Sequence, residues 1–377
     1  MIFIIISITV VYLLLIGSLI LGFDRVKLFE LGYLKPKTKF SIIIPFRNEE
    51  KNLLALLQSI STLNYPKNNF EIIFVDDDSY DHSAQIIADF FVQNNAFANS
   101  ISIIKNIRTT NSPKKDAITL AISKAKHDWI VTTDADSSLP KYWLDSLDEC
   151  IQKQQPDMIV APVTYTKTVG FLENFQLLDV LSLQGATMGG FGIKKPFLCN
   201  GANFAYKKQL FKTVNGFQGN TEIASGDDVF LLEKATRQKT TQVTYLKCKH
   251  AVVSSFALTS IKDLIEQRVR WAAKSGAYKN LFGKLAGFII LVQNALLICC
   301  LPLFAIGILR PKEFLFIFII KFGIDFLLIF KTANFFDQKK HLKHYFLASL
   351  CYPFFSVYVA FIAVFKGYNW KGRSYRQ

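Results

Sequence analysis

The chain has 377 residues, 51% of them hydrophobic, and a formal net charge of +15 from 44 Lys+Arg against 29 Asp+Glu. The cations are scattered and no nucleic-acid motif accompanies them, which argues against a nucleic-acid partner; a lipid bilayer and an anionic nucleotide suit the charge better. The six cysteines, Cys150, Cys199, Cys248, Cys299, Cys300 and Cys351, form no CxxC pair. Neither a disulfide framework nor a zinc site is expected, which suits a reducing compartment.

Residues 2–23 are apolar and uncharged, long enough to span a bilayer. They lack a basic leader and a small-x-small cleavage site, so residues 1–24 read as a retained anchor. Arg25, Lys27, Lys35 and Lys37 follow, and the positive-inside rule puts the next domain in the cytoplasm.

Residues 39–257 read as one α/β domain. Short β-branched runs at 40–44, 71–75, 101–104, 129–133 and 158–162 alternate with helical patterns at 49–60, 83–93, 115–124 and 141–153. Continuous apolar runs suit strands buried on both faces, and their alternation with helices predicts a mainly parallel sheet. In such sheets ligands collect at the carboxyl ends of the strands. Residues 258–283 mix apolar and basic residues, as an interfacial amphipathic helix would. Spans are expected at 285–309, 313–331 and 345–365, followed by a basic tail over 366–377. Four spans in all make a multi-pass integral membrane protein with its catalytic domain in the cytoplasm, as at a bacterial inner membrane. That count conflicts with Lys366, Lys371, Arg373 and Arg376 in the tail, because it would put them outside. Lys331, Lys339, Lys340 and Lys343 mark the preceding loop as cytoplasmic. Pro302 and Pro353 allow one segment to be broken.

Four clusters carry candidate chemistry. Asp76-Asp77-Asp78-Ser79 ends the second strand, and its adjacent carboxylates need cations or donors to offset their repulsion. A base edge or ribose would supply donors; an acidic turn would look the same. Asp134-Ala135-Asp136 ends another strand, and two carboxylates at that spacing suit a hard ion, Mg2+ or Mn2+. Gly226-Asp227-Asp228 opens a helix, where a carboxylate serves either as a favourable end charge or as a general base. Gln267-Arg268-Val269-Arg270-Trp271 offers a diphosphate clamp and a flat apolar face, or else a basic interfacial anchor.

Taken together and in this order, the clusters resemble the family 2 glycosyltransferases. Ile44 to Glu50 at the first strand exit, Lys114-Lys115-Asp116-Ala117 and Cys199 to Asn203 extend the likeness over about residues 39–275. The flanking spans resemble the membrane-bound branch, cellulose synthase-like and ceramide glucosyltransferase-like. The resemblance implies a GT-A fold, a nucleotide-sugar donor and a lipid or glycan acceptor. It implies donor contacts from Pro45, Asn48, Glu49, Asp76, Asp77, Lys115, Asp134, Gln267, Arg270 and Trp271, with Asp77 on the nucleobase. Asp134 and Asp136 would hold the metal, Asp228 would be the base beside Asp227, and Gly201, Asn203 and Trp271 would meet the acceptor. Two departures stand out. Asp78 takes a place where Gly or Asn is commoner, and Gly226-Asp227-Asp228 differs from the Thr-Glu-Asp form of polymerising synthases, with Asp227 in place of the more usual Glu; before Lys114, Pro113 takes the place of the usual Gly. Transfer of single sugars to a membrane lipid is the expected activity. Processive synthesis of an exported polysaccharide is the alternative within the class. A non-catalytic transport or scaffold protein is the alternative outside it.

Overall fold

The computed structural model describes residues 2–93, 100–366, 368–370 and 373–375. The chain forms helix α1 (Ile2–Arg25), then strand β1 (Phe40–Phe46), α2 (Leu53–Ser61), β2 (Phe70–Asp76), α3 (Ser83–Gln93), β3 (Ile101–Lys105), α4 (Pro113–Lys124), β4 (Trp129–Thr132) and α5 (Trp143–Gln154). Strands β5 (Met158–Val160) and β6 (Val163–Thr166) precede the long helix α6 (Phe171–Gly192). Next come β7 (Phe204–Lys207), α7 (Lys208–Thr213), α8 (Asp227–Arg237), β8 (Val243–Tyr245) and β9 (Val253–Phe256). The chain closes with α9 (Ile261–Ala273), α10 (Leu281–Ala305), α11 (Pro311–Phe335), α12 (Tyr345–Phe365), β10 (Tyr368–Trp370) and β11 (Arg373–Tyr375).

These elements divide into two compact units. The α/β unit is Lys27–Thr166 with Cys199–Phe256. Its seven-stranded sheet has the order β3-β2-β1-β4-β7-β5-β8. The first four strands in that order are parallel, as their apolar runs predict. β7 runs antiparallel to both β4 and β5, so the sheet is parallel-dominated rather than wholly parallel. A second, two-stranded sheet pairs β6 with β9. The core beneath β1 and β2 is built from Ile42, Ile44, Ile72 and Phe74 against Leu56, Leu57 and Trp143, all fully buried.

The helical unit is Met1–Val26, Lys167–Leu198 and Ala257–Gln377. The expected uninterrupted domain over 39–257 is therefore cut by 167–198, which folds with the helices. α6 and α1 touch backbone to backbone. A Cβ added to Gly189 would lie 2.3 Å from the Leu19 carbonyl oxygen, and one on Gly22 would lie 2.1 Å from that of Gly189. Small residues permit this approach, as in packed membrane helices.

Three helices are long and apolar enough to cross a membrane among the described residues: α1, α10, and the stretch Lys339–Phe365 that contains α12. α11 has 25 residues but carries Lys321 and Asp325 near its middle. Pro302 and Pro353 lie inside α10 and α12, and neither breaks its helix into two elements. The expected amphipathic helix over 258–283 is shorter. Ser260 caps α9, which ends at Ala273, and Asn280 caps α10 by accepting from the Gly283 amide at 2.9 Å. Lys371, Gly372 and Arg376 of the tail lie outside the described residues.

Candidate active site

The carboxyl ends of β1, β2 and β4 lie side by side, with Phe46 in register with Asp76 and Ile43 with Thr132. Asp76, Asp77, Asp134 and Asp136 therefore leave the sheet at one edge, where the sequence places them. Pro45 sits opposite Val75 on β1. Just beyond it, Asn48 has φ +51 and accepts from the Tyr80 amide at 3.0 Å. The Glu49 amide donates to the Ser83 hydroxyl at 2.8 Å. These two residues tie the first strand exit to the second.

The repulsion among the three adjacent aspartates is offset by two arginines. Asp77 is buried and accepts from Arg108 Nε at 2.7 Å and from Asn106 Nδ2 at 2.8 Å. Arg108 also donates to the Asp77 carbonyl and to Asp78 Oδ2, at 2.8 and 3.1 Å. Arg47 donates to the carbonyls of Asp77 and Asp78, each at 2.6 Å. The Arg108 hydrogen bond holds the exposed Asp78 carboxyl below the usual range. Asp76 accepts from the Ser79 amide at 2.9 Å and so closes the turn. Asp78 has φ +65, which gives the backbone reason that Gly or Asn would be the easier residue there. Arg108 and Asn106 were missed in the sequence. Their signal was position: they follow β3, the neighbour of β2, at the same sheet edge.

The loop holding Arg108 is itself fixed. The Asp116 carboxylate accepts from the amides of Thr109 and Thr110, both at 3.0 Å, and from both hydroxyls. α4 begins at Pro113, a residue well suited to a helix's first position. Lys114 then reaches the carboxylates, 2.7 Å from Asp134 Oδ1 and 3.4 Å from Asp227 Oδ2. Burial pulls its ammonium pKa down, but Asp134, Asp227 and Asp228 outweigh that and hold it well above the ordinary lysine value. Lys115 is the residue expected here, and the structure corrects that expectation. Its side chain is buried, donates to the carbonyls of Asn220 and Ile223 at 2.6 and 2.7 Å, and lies over the Phe230 ring. Successive residues of a helix point about 100° apart, so only one of the two lysines can face the strand ends.

Gly226, at φ +83, turns the chain into α8 and brings Asp227 and Asp228 to the same place. Asp228 accepts from the Gly201 amide at 3.0 Å and from the Val229 amide at 2.7 Å. The Gly201 carbonyl is held by Thr132 Oγ1 at 2.8 Å. A Cβ on Gly201 would come within 3.2 Å of Asp227 Oδ2, so glycine keeps this approach open. Asn203, expected to meet an acceptor, is fully buried and structural. Its amide donates to the carbonyls of Pro162 and Ala251 and accepts from Trp143 Nε1 at 2.9 Å. A strand-to-strand crossing needs such internal satisfaction of buried polar groups.

Asp134 and Asp136 are both half-buried, and Asp136 accepts from the Ser255 hydroxyl at 3.2 Å. Carboxylate oxygens are the donors a hard divalent ion takes. No group of three His, Cys, Asp or Glu suited to an ion occurs among the described residues. Asp134 Oδ1 is engaged by Lys114 at 2.7 Å, so the two carboxylates by themselves do not make up an ion's ligand set. Gln267, Arg270 and Trp271 lie on α9 in the helical unit.

The profile of glycosyl transferase family group 2 matches residues 129–362, well over half of the chain, and that of glycosyl transferase family 2 matches residues 41–214. The chain belongs to the family 2 glycosyltransferases. This transferase has a mixed α/β, GT-A-like fold. It is 26% identical over 123 residues to a poly(ribitol-phosphate) beta-N-acetylglucosaminyltransferase, TarS, of Staphylococcus aureus, a stretch covering 32% of this chain and 20% of TarS. It is 32% identical over 101 residues to the undecaprenyl-phosphate 4-deoxy-4-formamido-L-arabinose transferase of Aeromonas hydrophila, covering 26% of this chain and 29% of that one. The transferase thus spans less than a third of either relative. Among solved structures, a mannosyltransferase of Pyrobaculum calidifontis in complex with GDP-Man and Mn2+ superposes with a TM-score of 0.56 at 16% identity, covering 92% of this chain and 99% of that one. That likeness concerns the fold alone.

Proposed function

We propose that this transferase moves a sugar, with inversion, from a UDP-linked donor to a membrane lipid or lipid-linked acceptor. The observation that carries the reading is Asp228, a carboxylate fixed by the Gly201 amide and its own helix start beside the Lys114-centred acids. Asp77, with Arg108 and Asn106, would read the nucleobase, since together they present both an acceptor and donors. Lys114 would meet the diphosphate, exchanging its carboxylate partners for phosphate oxygens. Asp228 would accept the proton of the acceptor hydroxyl as that oxygen attacks the anomeric carbon, and the diphosphate would leave from the opposite face. Asp134 and Asp136 would hold Mg2+ or Mn2+, which supplies charge stabilisation to the leaving group. Gln267, Arg270 and Trp271 would act on donor and acceptor from α9.

A lipid acceptor is supported by the apolar helices α1, α10 and α12 and by the relative named for undecaprenyl phosphate. The basic residues after α1 support a cytoplasmic α/β unit. The QRVRW run favours the second reading, a processive synthase of the cellulose synthase-like kind. Purified protein is incubated with radiolabelled UDP-sugars, Mn2+ and membrane lipids. Label in short, solvent-extractable glycolipids is expected, and none with EDTA. Label retained in a long water-soluble polymer would favour the second reading, and transfer unaffected by EDTA would remove the metal from it.

A further inference from the structure

Asp179 has no part in the reading above, yet it is a buried acid on α6 within the helical unit. It accepts from Arg268 Nε at 2.7 Å, and both side chains are 6% exposed. A buried ion pair is retained at a desolvation cost, so its effect on neighbouring groups is informative. Arg268 lies on α9, whose apolar residue Val269 packs into a cluster with Val359 and Ala363 of α12. The guanidinium is engaged on two further sides. Nη1 donates to Gln267 Oε1, and the plane lies over the Trp271 ring at 4.2 Å. An arginine has only donors, so the Gln267 atom facing it must be the amide oxygen. That leaves the Gln267 NH2, on a half-buried side chain, as the end not turned to Arg268; its two donors suit a sugar or phosphate oxygen.

We infer that Asp179 is a positioning residue for the transfer reaction. By anchoring Arg268 it sets the amide orientation of Gln267 and the ring plane of Trp271. A planar guanidinium serves carboxylate, amide and aromatic face at once in one fixed geometry; a lysine ammonium would keep the ion pair but lose the planar stack and the fork. This inference rests on the reading that α9 acts on donor and acceptor.

The test uses the full-length protein in detergent with Asp179→Asn, Arg268→Lys and Trp271→Ala. It measures kcat and KM, stabilisation by UDP plus Mn2+, and Trp271 emission, taken as the difference from Trp271→Phe. For Asp179→Asn and Arg268→Lys we expect kcat to fall about 10- to 100-fold, the effect of a mispositioned group. KM for the nucleotide sugar and stabilisation by UDP should be nearly unchanged, and Trp271 emission should shift to the red. Should Asp179→Asn fail to fold, Arg268→Lys, which keeps the charge pair, decides. Wild-type kcat and unshifted emission in Arg268→Lys, with Trp271→Ala inactive, would overturn the positioning role while leaving α9 in the reaction. Shifted emission with full turnover in Trp271→Ala would overturn the role of α9 itself, and the positioning role with it.

Discussion

The two units treat buried charge in different ways. In the α/β unit the acids gather at strand ends and at the start of α8, and their partners arrive from a neighbouring loop or helix start: Arg108 on Asp77, and Lys114 of α4 on Asp134 and Asp227. In the helical unit the charges lie inside helices and pair across or along them. Arg268 of α9 meets Asp179 of α6, and Lys321 meets Asp325 at 2.6 Å while Tyr12 of α1 donates to the same carboxylate. A strand end is a place the local sequence marks, because the apolar run stops there. A helix position becomes polar only by virtue of what a distant helix presents to it. At the strand ends Asp76, Asp134 and Asp136 are half-buried and Asp78 is exposed, so these charges can exchange partners with a ligand. Charge between helices is locked into packing.

The largest expected effect tests the first half of that contrast. Asp228→Asn keeps the shape and the helix start while removing the basicity. We expect kcat to fall about 10²- to 10⁴-fold, the usual worth of a general base, with UDP binding retained. Normal turnover in Asp228→Asn with Asp227→Asn inactive would move the base to the neighbouring carboxylate.

The second prediction tests the locked packing of the helices. Gly189→Val puts branched carbon against the Leu19 carbonyl and should destabilise the protein by about 3 kcal/mol or more, well above an ordinary overpacked site. Thermal unfolding in detergent measures it. A melting temperature within a degree or two of the parent would show that α1 and α6 separate easily.

Third, the two neighbouring lysines separate exchange of partners from permanent structure. Lys115→Met takes one hydrogen bond from each of the Asn220 and Ile223 carbonyls and should cost about 1–3 kcal/mol of stability, with kcat little changed in the folded fraction. Lys114→Met should do the reverse, keeping stability and weakening the donor, read as a raised KM. Equal effects on both measures in both variants would erase the distinction.

The smallest effect concerns a thiol. Burial pushes Cys150 up to about 12, so at pH 8 only about one molecule in 10⁴ carries the thiolate. Iodoacetamide at that pH should leave Cys150 unmodified in the native protein and label it after denaturation, as peptide mass spectrometry would show. Rapid native labelling would mean that this part of the α/β core opens readily.

How much of the molecule was legible in the sequence follows the same division. β1 to β4 and the helices between them stand close to their expected places, because apolar runs and their breaks are local signals. That Asp76, Asp77, Asp134 and Asp136 leave the sheet together was legible for that reason, whereas Asp227 and Asp228 announce only the start of a helix. Arg108 was less so: its one signal is its place just after β3, which counts only once β3 is known to lie beside β2. Lys114 and Lys115 are alike in sequence, because adjacent residues of a helix differ only in facing. The burial of Asn203 is not visible in sequence, because it depends on β7 running antiparallel between β4 and β5, a fact of topology. α6 went unread for a further reason. Its Gly185, Gly189, Gly190 and Gly192 lower helix propensity, and its Asn174, Gln176 and Asp179 blur any apolar stripe. The features that hide this helix are the ones that let it pack against α1 and pair with α9.

The insertion of residues 167–198 also bears on how the chain folds as it is made. Pairing of β4 with β7 joins positions 72 residues apart in sequence, as in the contact of Thr132 with the Phe204 carbonyl. On one side of that interval lie four strands able to pair as soon as they are synthesised. On the other lies the strand that completes Gly201 and, beyond it, the Asp228 helix. β7 follows α6 in the chain, so α6 emerges from the ribosome before that pairing can occur. Until β7 is made, β4 has no partner on that side, whereas α1 and α6 are both already present. A lesion at Gly22 or Gly189 should therefore lower the yield of folded protein during synthesis as well as its stability afterwards.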